Sequence, residues 1–194
     1  LQMARFSMMI GNAGTYYTPH LVRAVRDGQT GEIRETPIKE HTLSEIRPDV
    51  WSVLKDGMYN VVQGGSGTAR GSKIYGLEFS GKTGTAQVRR ITRSERLSGV
   101  VKNEDLPWRE RDHALFVAFA PYDAPRYATA VVIEHGGSAS RVAAPIARDI
   151  LAETMRLDPS RTAGARAGGP EATNPNATNP NAVDPAAAVS RRRV

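Results

Sequence analysis

The chain has 194 residues, of which 40% are hydrophobic and 24% are charged, and its formal net charge is +6. This composition is typical of a globular domain and argues against collagen-like, coiled-coil and mucin-like chains. Cysteine is absent, which excludes a disulfide scaffold, a thiol nucleophile and zinc sites with thiolate ligands. The four histidines lack metal-ligand spacing, so we expect neither a metal site nor a cofactor.

Hydrophobic periodicity predicts two helices and a hairpin in the first part of the chain. The first helix ends at a Gly-Asn-Ala-Gly turn and carries its helical pattern on Met3, Phe6, Ser7 and Ile10. Residues 21–26 and 32–35 flank a glycine-containing turn, which is typical of a β-hairpin. The second helix is predicted over 48–63, with one apolar stripe formed by Val50, Trp51, Leu54, Met58, Val61 and Val62.

Strands dominate the prediction for the second part of the chain. Residues 77–88 have strand character, and residues 113–120 are apolar on both faces, as a strand covered on both sides must be. Residues 127–134 return antiparallel after a turn. A last helix over 144–157 places on one face Ile146, Ile150, Leu151 and Leu157. The predicted fold class is therefore α/β of the α+β type, an antiparallel sheet covered by helices.

Two further segments stand out by composition. Residues 158–194 consist largely of Ala, Gly, Pro, Asn and Thr, which cannot bury enough apolar surface to offset chain entropy. We therefore predict a folded part over 1–157 and a disordered Ala/Pro/Asn-rich tail over 158–194. Residues 89–111 hold seven basic and four acidic residues but only one aromatic, Trp108. This pattern favours a solvated basic loop, and we expect no nucleic-acid partner.

A phosphate-loop pattern, G-x-x-x-x-G-K-[ST], occurs at residues 76–83. It leaves a nucleotide-binding protein as one alternative, because such loops cradle phosphates with backbone N–H groups. They must also open a helix whose N-terminus faces the phosphates. Leu77 and Phe79 instead alternate with polar residues, and Gly84 and Thr85 follow, so the pattern favours a strand.

The segment Ser52-Val53-Leu54-Lys55 is the only S-x-x-K in the chain. In serine acyl-transferases with this motif, the lysine lies one helical turn from the nucleophilic serine. On the predicted helix, however, Ser52 falls opposite Leu54 and Met58 and so faces solvent. We interpret Ser52 and Lys55 as surface residues.

The segment Lys-Thr-Gly-Thr-Ala-Gln at residues 82–87 could bind a substrate, which we do not expect of the other two motifs. An edge strand beside a cleft can present a lysine charge, a threonine hydroxyl and a backbone N–H to a substrate carboxylate and a developing oxyanion. Gly84 leaves this backbone approachable, since no side chain covers it.

Together with other segments, this strand resembles the C-terminal part of the transpeptidase domain of class B penicillin-binding proteins, in particular those of the elongation type. The segments are residues 1–5, 14–22, 67–69, 82–87 and 113–121, and the resemblance covers about residues 1–157. It implies the penicillin-binding protein/β-lactamase-like transpeptidase fold, of which this chain would be an incomplete, C-terminal portion. It also implies a peptidoglycan D,D-transpeptidase that works through a serine acyl-enzyme and binds β-lactams.

The resemblance also implies residue roles. Lys82 and Thr85 would be catalytic, Lys82 through its positive potential and Thr85 through a backbone N–H in the oxyanion hole. Thr83, Gly84, Thr85 and Gln87 would bind the substrate. His113 and Trp108 would lie at the cleft rim at best, and we expect His113 to be a packed core histidine.

The family's S-x-x-K and S-x-N motifs have no counterpart in suitable positions of this sequence. We therefore expect the nucleophile to lie outside the chain and the chain alone to be inactive. A catalytically inactive cell-wall binding module is the second alternative.

The implied partners are peptidoglycan stem peptides ending in D-alanyl-D-alanine, β-lactams and cell-wall elongation proteins. The parent would be anchored in the bacterial inner membrane and would act on its periplasmic face. In this family, earlier strands pair beside the last strand of the segment. Residues 127–134 alone would therefore form an exposed apolar edge, and we expect the chain by itself to be poorly soluble.

Overall fold

The computed structural model describes residues 1–158, so the tail predicted over 158–194 lies, apart from its first residue, outside the described part. The helices are α1 Gln2–Gly11, α2 Pro48–Gln63, α3 Arg93–Ser98 and α4 Ala143–Arg156. The strands are β1 Thr15–Tyr17, β2 Ala24–Arg26, β3 Ile33–Glu35, β4 Glu40–Thr42, β5 Ser80–Ala86, β6 His113–Ala120 and β7 Tyr127–Ile133.

An antiparallel sheet of order β5-β6-β7 forms the centre of the fold. In its register Lys82 of β5 lies opposite Val117 of β6, and Val117 lies opposite Ala130 of β7. Helix α4 packs on β6 and β7, helix α1 packs on the same two strands, and helix α2 packs on β5. This arrangement confirms the predicted fold class of an antiparallel sheet covered by helices.

Strand β6 is buried on both faces, as its uniform hydrophobicity predicts. One row, Ala114, Phe116, Ala118 and Ala120, joins a core cluster with residues of α4. The alternate row contributes Val117 and Phe119 to a second cluster with Ile10, Trp51 and Met58 of α1 and α2. Two helical layers therefore sandwich the sheet, because successive strand side chains point to opposite faces.

The buried face of α4 differs from the predicted one. Its core residues are Ala143, Ala144, Ala147, Leu151 and Met155. Of the four residues predicted to face the core, only Leu151 does so, whereas Ile146 is 41% exposed, Ile150 44% and Leu157 61%. The sheet face beneath carries Ala114, Ala118 and Ala120 together with larger residues such as Phe116 and Val131. Small helix residues let α4 approach this face closely. The prediction was wrong because apolar periodicity alone does not show which helix face the sheet contacts.

The peripheral strands form two short antiparallel pairs. The hairpin of β2 and β3 confirms the prediction, with Val25 opposite Arg34. The pairing of β1 with β4, which places Thr15 opposite Thr42, was not predicted from the sequence. Within residues 1–158, no helix has the length and hydropathy of a membrane span.

Candidate active site

Strand β5 carries the predicted site residues along an edge of the central sheet. Among residues 1–158 it pairs only with β6, so its other edge is open. Lys82 and Thr85 are exposed, and Thr83 and Gly84 are half-buried. Gln87 follows the strand directly and is exposed. The structure therefore brings these predicted residues together on one strand with an unpaired edge and on the residue that follows it.

The two faces of β5 carry different groups. Lys82 and Gly84 lie opposite Val117 and Leu115 of β6, so they share the face covered by α1 and α2. Thr83 and Thr85 lie on the other face. The backbone of the strand is accessible from the edge between these faces, where a bound peptide could continue the sheet.

An apolar groove of about 580 Å³ runs beside β5. Its walls come from α1, α2, β5 and β6, and they include Met3, Phe6, Leu54, Met58 and Leu115. Phe6 is 49% exposed and Leu54 is 42% exposed, although both belong to apolar helix stripes. The apolar stripe predicted for α2 is thus divided, with Trp51 and Val62 in the core and Leu54 and Val61 on the groove. Met58 is buried and also lines the groove.

The loop between α2 and β5 brings a further hydroxyl to the strand. Gly67 packs directly against the end of α2, where an added Cβ would lie 2.4 Å from the Val61 carbonyl oxygen. The Ala69 N–H donates to the same carbonyl over 2.9 Å. This close approach places the Thr68 hydroxyl 3.3 Å from the Thr83 hydroxyl. Only glycine allows the loop to fold back this tightly.

Lys82 supplies a positive charge at the edge of the groove. Its Nζ donates to the Thr83 carbonyl oxygen over 2.8 Å, so the ammonium group lies along its own strand. Within the described residues Lys82 forms no ion pair with a carboxylate. The charge is therefore available to an anionic ligand beside β5.

The S-x-x-K segment lies at the surface, as the helical wheel predicts. Ser52 is exposed and is not among the residues that line the groove. The Lys55 Nζ lies 5.6 Å from the ring centroid of Tyr122, at the turn after β6. The arrangement offers Ser52 no pocket in which it could act as a nucleophile.

The phosphate-loop alternative is wrong. Gly81, Lys82 and Thr83, which should open a helix, lie inside β5 and pair with residues 116–118 of β6. Their backbone therefore takes part in a strand ladder and cannot wrap a phosphate group. The letters of the motif match, but the required loop-to-helix transition is absent from this segment.

A cluster of tyrosines and carboxylates ties α2 to the turn after β6. The Tyr122 hydroxyl donates a hydrogen bond to the Asp56 carboxylate. This bond and partial burial raise the pKa of Tyr122 to about 12. Tyr59 packs on Tyr122 with ring centroids 4.5 Å apart, and the neighbouring Glu78 carboxylate raises the pKa of Tyr59. The cluster fixes the helix that forms one wall of the groove.

The basic segment 89–111 is more ordered than a solvated loop. It contains α3, and its Arg89 forms an ion pair with Glu95 in which both side chains are largely buried. The Arg89 guanidinium lowers the pKa of the Glu95 carboxyl to about 2. Arg111 donates to the carbonyl oxygens of Leu106 and Glu104. The contacts of Arg89 and Arg111 within the segment therefore stabilise its fold.

The structure also shows the surroundings of His113 and Trp108, the two residues that were predicted to lie at the cleft rim at best. His113 is half-buried and bonded to the turn after β7, so it is not the packed core histidine that we expected. Trp108 is 59% exposed and packs on His135 with ring centroids 4.5 Å apart. Neither residue lines the groove.

Sequence reasoning missed the walls of the site. It assigned no role to Thr68 or to the groove residues Met3, Phe6 and Leu54. The Gly67-Thr68-Ala69 segment was a usable signal, since it carried part of the family resemblance. Nothing in the helix patterns distinguishes a groove residue from a core residue, because both are apolar.

Comparison with known proteins assigns the family. The family model for the penicillin binding protein transpeptidase domain matches residues 1–152. The chain therefore belongs to the penicillin-binding protein transpeptidase domain family, within the class B group. This finding agrees with an antiparallel sheet that presents a Lys-Thr-Gly strand to an open groove.

Three relatives illustrate the similarity. The peptidoglycan D,D-transpeptidase MrdA of Acinetobacter baumannii is 36% identical over 166 residues, which cover 84% of this chain and 24% of MrdA. Penicillin-binding protein A of Mycobacterium tuberculosis, solved as an imipenem acyl-enzyme, has a TM-score of 0.57 and 26% identity, and the match covers 78% and 29% of the two chains. Penicillin-binding protein 2 of Helicobacter pylori, solved in complex with MreC, has a TM-score of 0.57 and 25% identity, with 80% and 24% covered. The chain thus spans about a quarter of the length of these relatives.

Proposed function

We propose that this chain is part of a peptidoglycan D,D-transpeptidase and supplies the substrate-binding strand of its active site. The observation that carries the proposal is the open edge of β5, with Lys82 and Thr85 exposed beside an apolar groove. A stem peptide ending in D-alanyl-D-alanine would lie along this edge, and a β-lactam would occupy the same place.

The proposed chemistry is acyl transfer through a serine ester. Lys82 directs positive potential to the substrate carboxylate, and the hydroxyls of Thr83 and Thr85 donate hydrogen bonds to it. The Thr85 backbone N–H stabilises the oxyanion of the tetrahedral intermediate, and one such donor contributes about 3 kcal/mol in enzymes of this kind. Gln87 lines the end of the same strand. The nucleophilic serine comes from an S-x-x-K motif on polypeptide outside this chain.

The proposal extends to location and partners. The MrdA relative is a D,D-transpeptidase by name, and the penicillin-binding protein 2 relative was solved with MreC. We infer that the full-length protein acts at the periplasmic face of the inner membrane with cell-wall elongation proteins. The acyl-enzyme relative supports β-lactams as ligands.

The test compares the two lysines that lie in candidate motifs. In the full-length protein, Lys82→Ala should lower the rate of acylation by a fluorescent penicillin at least tenfold, an estimate based on the loss of one charge-assisted contact of about 1.5–3 kcal/mol. Lys55→Ala removes a half-buried lysine charge that does not line the groove, and it should leave the rate unchanged. The Ser52→Ala variant should also be acylated at the native rate.

Two results would contradict the proposal. A covalent penicillin adduct on Ser52, found by mass spectrometry, would move the active site to α2. A full-length protein that binds cell-wall material but is never acylated would support the inactive binding module instead.

A further inference from the structure

Three segments meet at the end of the central sheet where β5 stops and β6 starts. They are the loop of residues 87–112, the first residue of β6, and the turn of residues 134–138 between β7 and α4. The contacts between them involve Asp112, His113 and His135, together with the carbonyl of Arg111. We call these four residues the histidine clamp.

The hydrogen-bond partners determine which nitrogens of the histidine clamp carry hydrogen. The backbone N–H of His135 donates to the His113 Nδ1 over 2.9 Å, so this Nδ1 must hold a free lone pair and the ring hydrogen is on Nε2. The His135 Nδ1 lies 2.9 Å from the Arg111 carbonyl oxygen, which can only accept, so this nitrogen carries a hydrogen. The two imidazoles thus have opposite roles.

The turn that the histidine clamp holds has an unusual backbone. His135 has a φ of +55°, in the left-handed region that non-glycine residues rarely occupy. Its N–H is bonded to His113 at the start of β6, and its ring is bonded to the Arg111 carbonyl in the preceding loop. The centroid of its ring lies 4.7 Å from that of the His113 ring. The surrounding contacts therefore impose this conformation, as expected where a strained residue serves a positional role.

Asp112 connects the histidine clamp to the exit of β5. Its Oδ1 accepts from the Val88 N–H over 3.4 Å, and its own N–H donates to the Asn103 Oδ1 over 2.8 Å. Its carbonyl oxygen accepts from the Gly137 N–H over 2.9 Å. One residue thus joins the segment after β5, the loop and the turn after β7.

The register of β5 with β6 shows which residues of β5 lie next to the histidine clamp. His113 lies opposite Ala86, the last pair of the β5–β6 ladder, and Ala114 lies opposite Thr85. A terminal pair of a ladder frays most easily unless other contacts hold it. The bond to the His113 side chain anchors the β6 residue that pairs with Ala86. The bond from Val88 to Asp112 anchors the chain just beyond Gln87. The end of the ladder is therefore held at Ala86 and again after Gln87.

We propose that His113 is a positioning residue for the substrate strand, acting through its Nδ1 acceptor to keep Thr85 and Gln87 in place. The inference rests on the proposed function, since it concerns the end of the same strand. His113 does not line the groove, so it acts through the strand and not by direct contact.

A matched pair of amide substitutions tests the acceptor. In the full-length protein, His113→Asn puts an oxygen near the position of Nδ1, whereas His113→Gln puts it near that of Nε2. We expect acylation by a fluorescent penicillin to stay within about threefold of native in His113→Asn. In His113→Gln it should fall by about tenfold to a hundredfold, the range that a misplacement of about 1 Å causes. As a control, His41→Gln changes a histidine that bonds Thr18 in the β1–β4 region and should leave acylation unchanged.

A purely structural role would lower the melting temperature of His113→Gln but leave its acylation rate, measured well below that temperature, equal to that of His113→Asn. Equal acylation rates in the two variants would therefore overturn the proposal. Long-range ¹⁵N–¹H correlation spectra of the native protein should show an unprotonated His113 Nδ1, and a protonated Nδ1 would overturn it as well. If the native protein is not acylated at all, the proposed function fails, while the spectra still test the histidine clamp.

Discussion

Two glycines of β5, three residues apart, meet different surroundings. A Cβ added to Gly81 would lie 2.3 Å from the Phe116 Cζ and 3.1 Å from the Val117 carbonyl oxygen. A Cβ added to Gly84 would lie 3.3 Å from the Leu115 Cβ, which is tight but close to ordinary contact. Gly81 is therefore required for packing against the fully buried Phe116. Gly84 leaves the backbone of β5 uncovered beside the groove.

We predict that Gly81→Ala destabilises the protein by about 1–3 kcal/mol, the usual effect of overpacking a dense core. The matched control is Gly71→Ala, since an added Cβ there meets nothing within 4 Å. Urea unfolding of the two variants should show a lower midpoint for Gly81→Ala alone. Equal midpoints would mean that Phe116 can move aside without cost.

Tyr122 gives a second prediction at the scale of a residue, because its hydroxyl bonds the Asp56 carboxylate. The phenol titrates near pH 10 in an unfolded chain, and its pKa is about 12 in the fold. The protonated form is thus favoured by folding. This contribution is complete below pH 10 and is lost as the pH rises through 12.

Tyr122→Phe should therefore lower the free energy of unfolding at pH 7 by about 1 kcal/mol, the usual value of one hydrogen bond. It should also weaken the alkaline loss of stability between pH 10 and 12, which chemical denaturation at several pH values measures. Tyr75→Phe is the control, since Tyr75 is fully exposed. An unchanged alkaline profile in Tyr122→Phe would contradict the assignment.

At the scale of the element, α4 shows how a helix selects its buried face. Its side toward β6 is lined by small residues, and Ala147 is completely buried. The larger Ile146 and Ile150 lie largely outside. Hydrophobic periodicity shows only that a position is apolar, so it cannot identify which helix face needs small residues to pack closely on the sheet.

We predict that Ala147→Leu destabilises the protein by about 1–3 kcal/mol, because the added atoms separate α4 from the sheet. Ile150→Ala, by contrast, removes a side chain that is 44% exposed and should cost less than about 1 kcal/mol. Thermal unfolding of both variants provides the measurement. A larger loss of stability in Ile150→Ala than in Ala147→Leu would show that the helix face predicted from the sequence is the buried one.

At the scale of the whole molecule, the central sheet has two open edges among the described residues. Strand β5 forms the edge along which the proposed substrate binds, and β7 forms the opposite edge. Strand β7 is apolar, and its Val132 is 53% exposed. Unpaired apolar edge strands favour association with other chains.

We therefore predict that residues 1–158 expressed alone self-associate, and that Val132→Lys reduces this association. A lysine on an edge strand opposes pairing with a second strand. Leu97→Lys adds the same charge on α3, away from the sheet, and should have no such effect. Sedimentation velocity distinguishes these outcomes. A monodisperse native segment that melts cooperatively would contradict the prediction.

Much of the sheet and of the substrate strand could be predicted from the sequence. The alternation around Phe79, the uniform hydrophobicity of 113–120 and the segment from Lys82 to Gln87 are local signals, because strand periodicity and turn residues act over a few positions. The same local reasoning favoured a strand over a phosphate loop at residues 76–83. Strand β5 confirms this for residues 80–83, whereas residues 76–79 precede the strand.

The remaining features depend on contacts between distant segments. The groove exists because Phe6 of α1 and Leu54 of α2 meet beside β5, and the bond from Thr68 to Thr83 exists because Gly67 allows a tight fold-back. The histidine clamp joins residues 113 and 135, which no periodicity relates. The sequence by itself determined the three long helices, the strands of the central sheet and the chemistry of the Lys-Thr-Gly strand. Only the tertiary structure decided which apolar side chains form the core and which form the groove, because burial depends on what packs opposite.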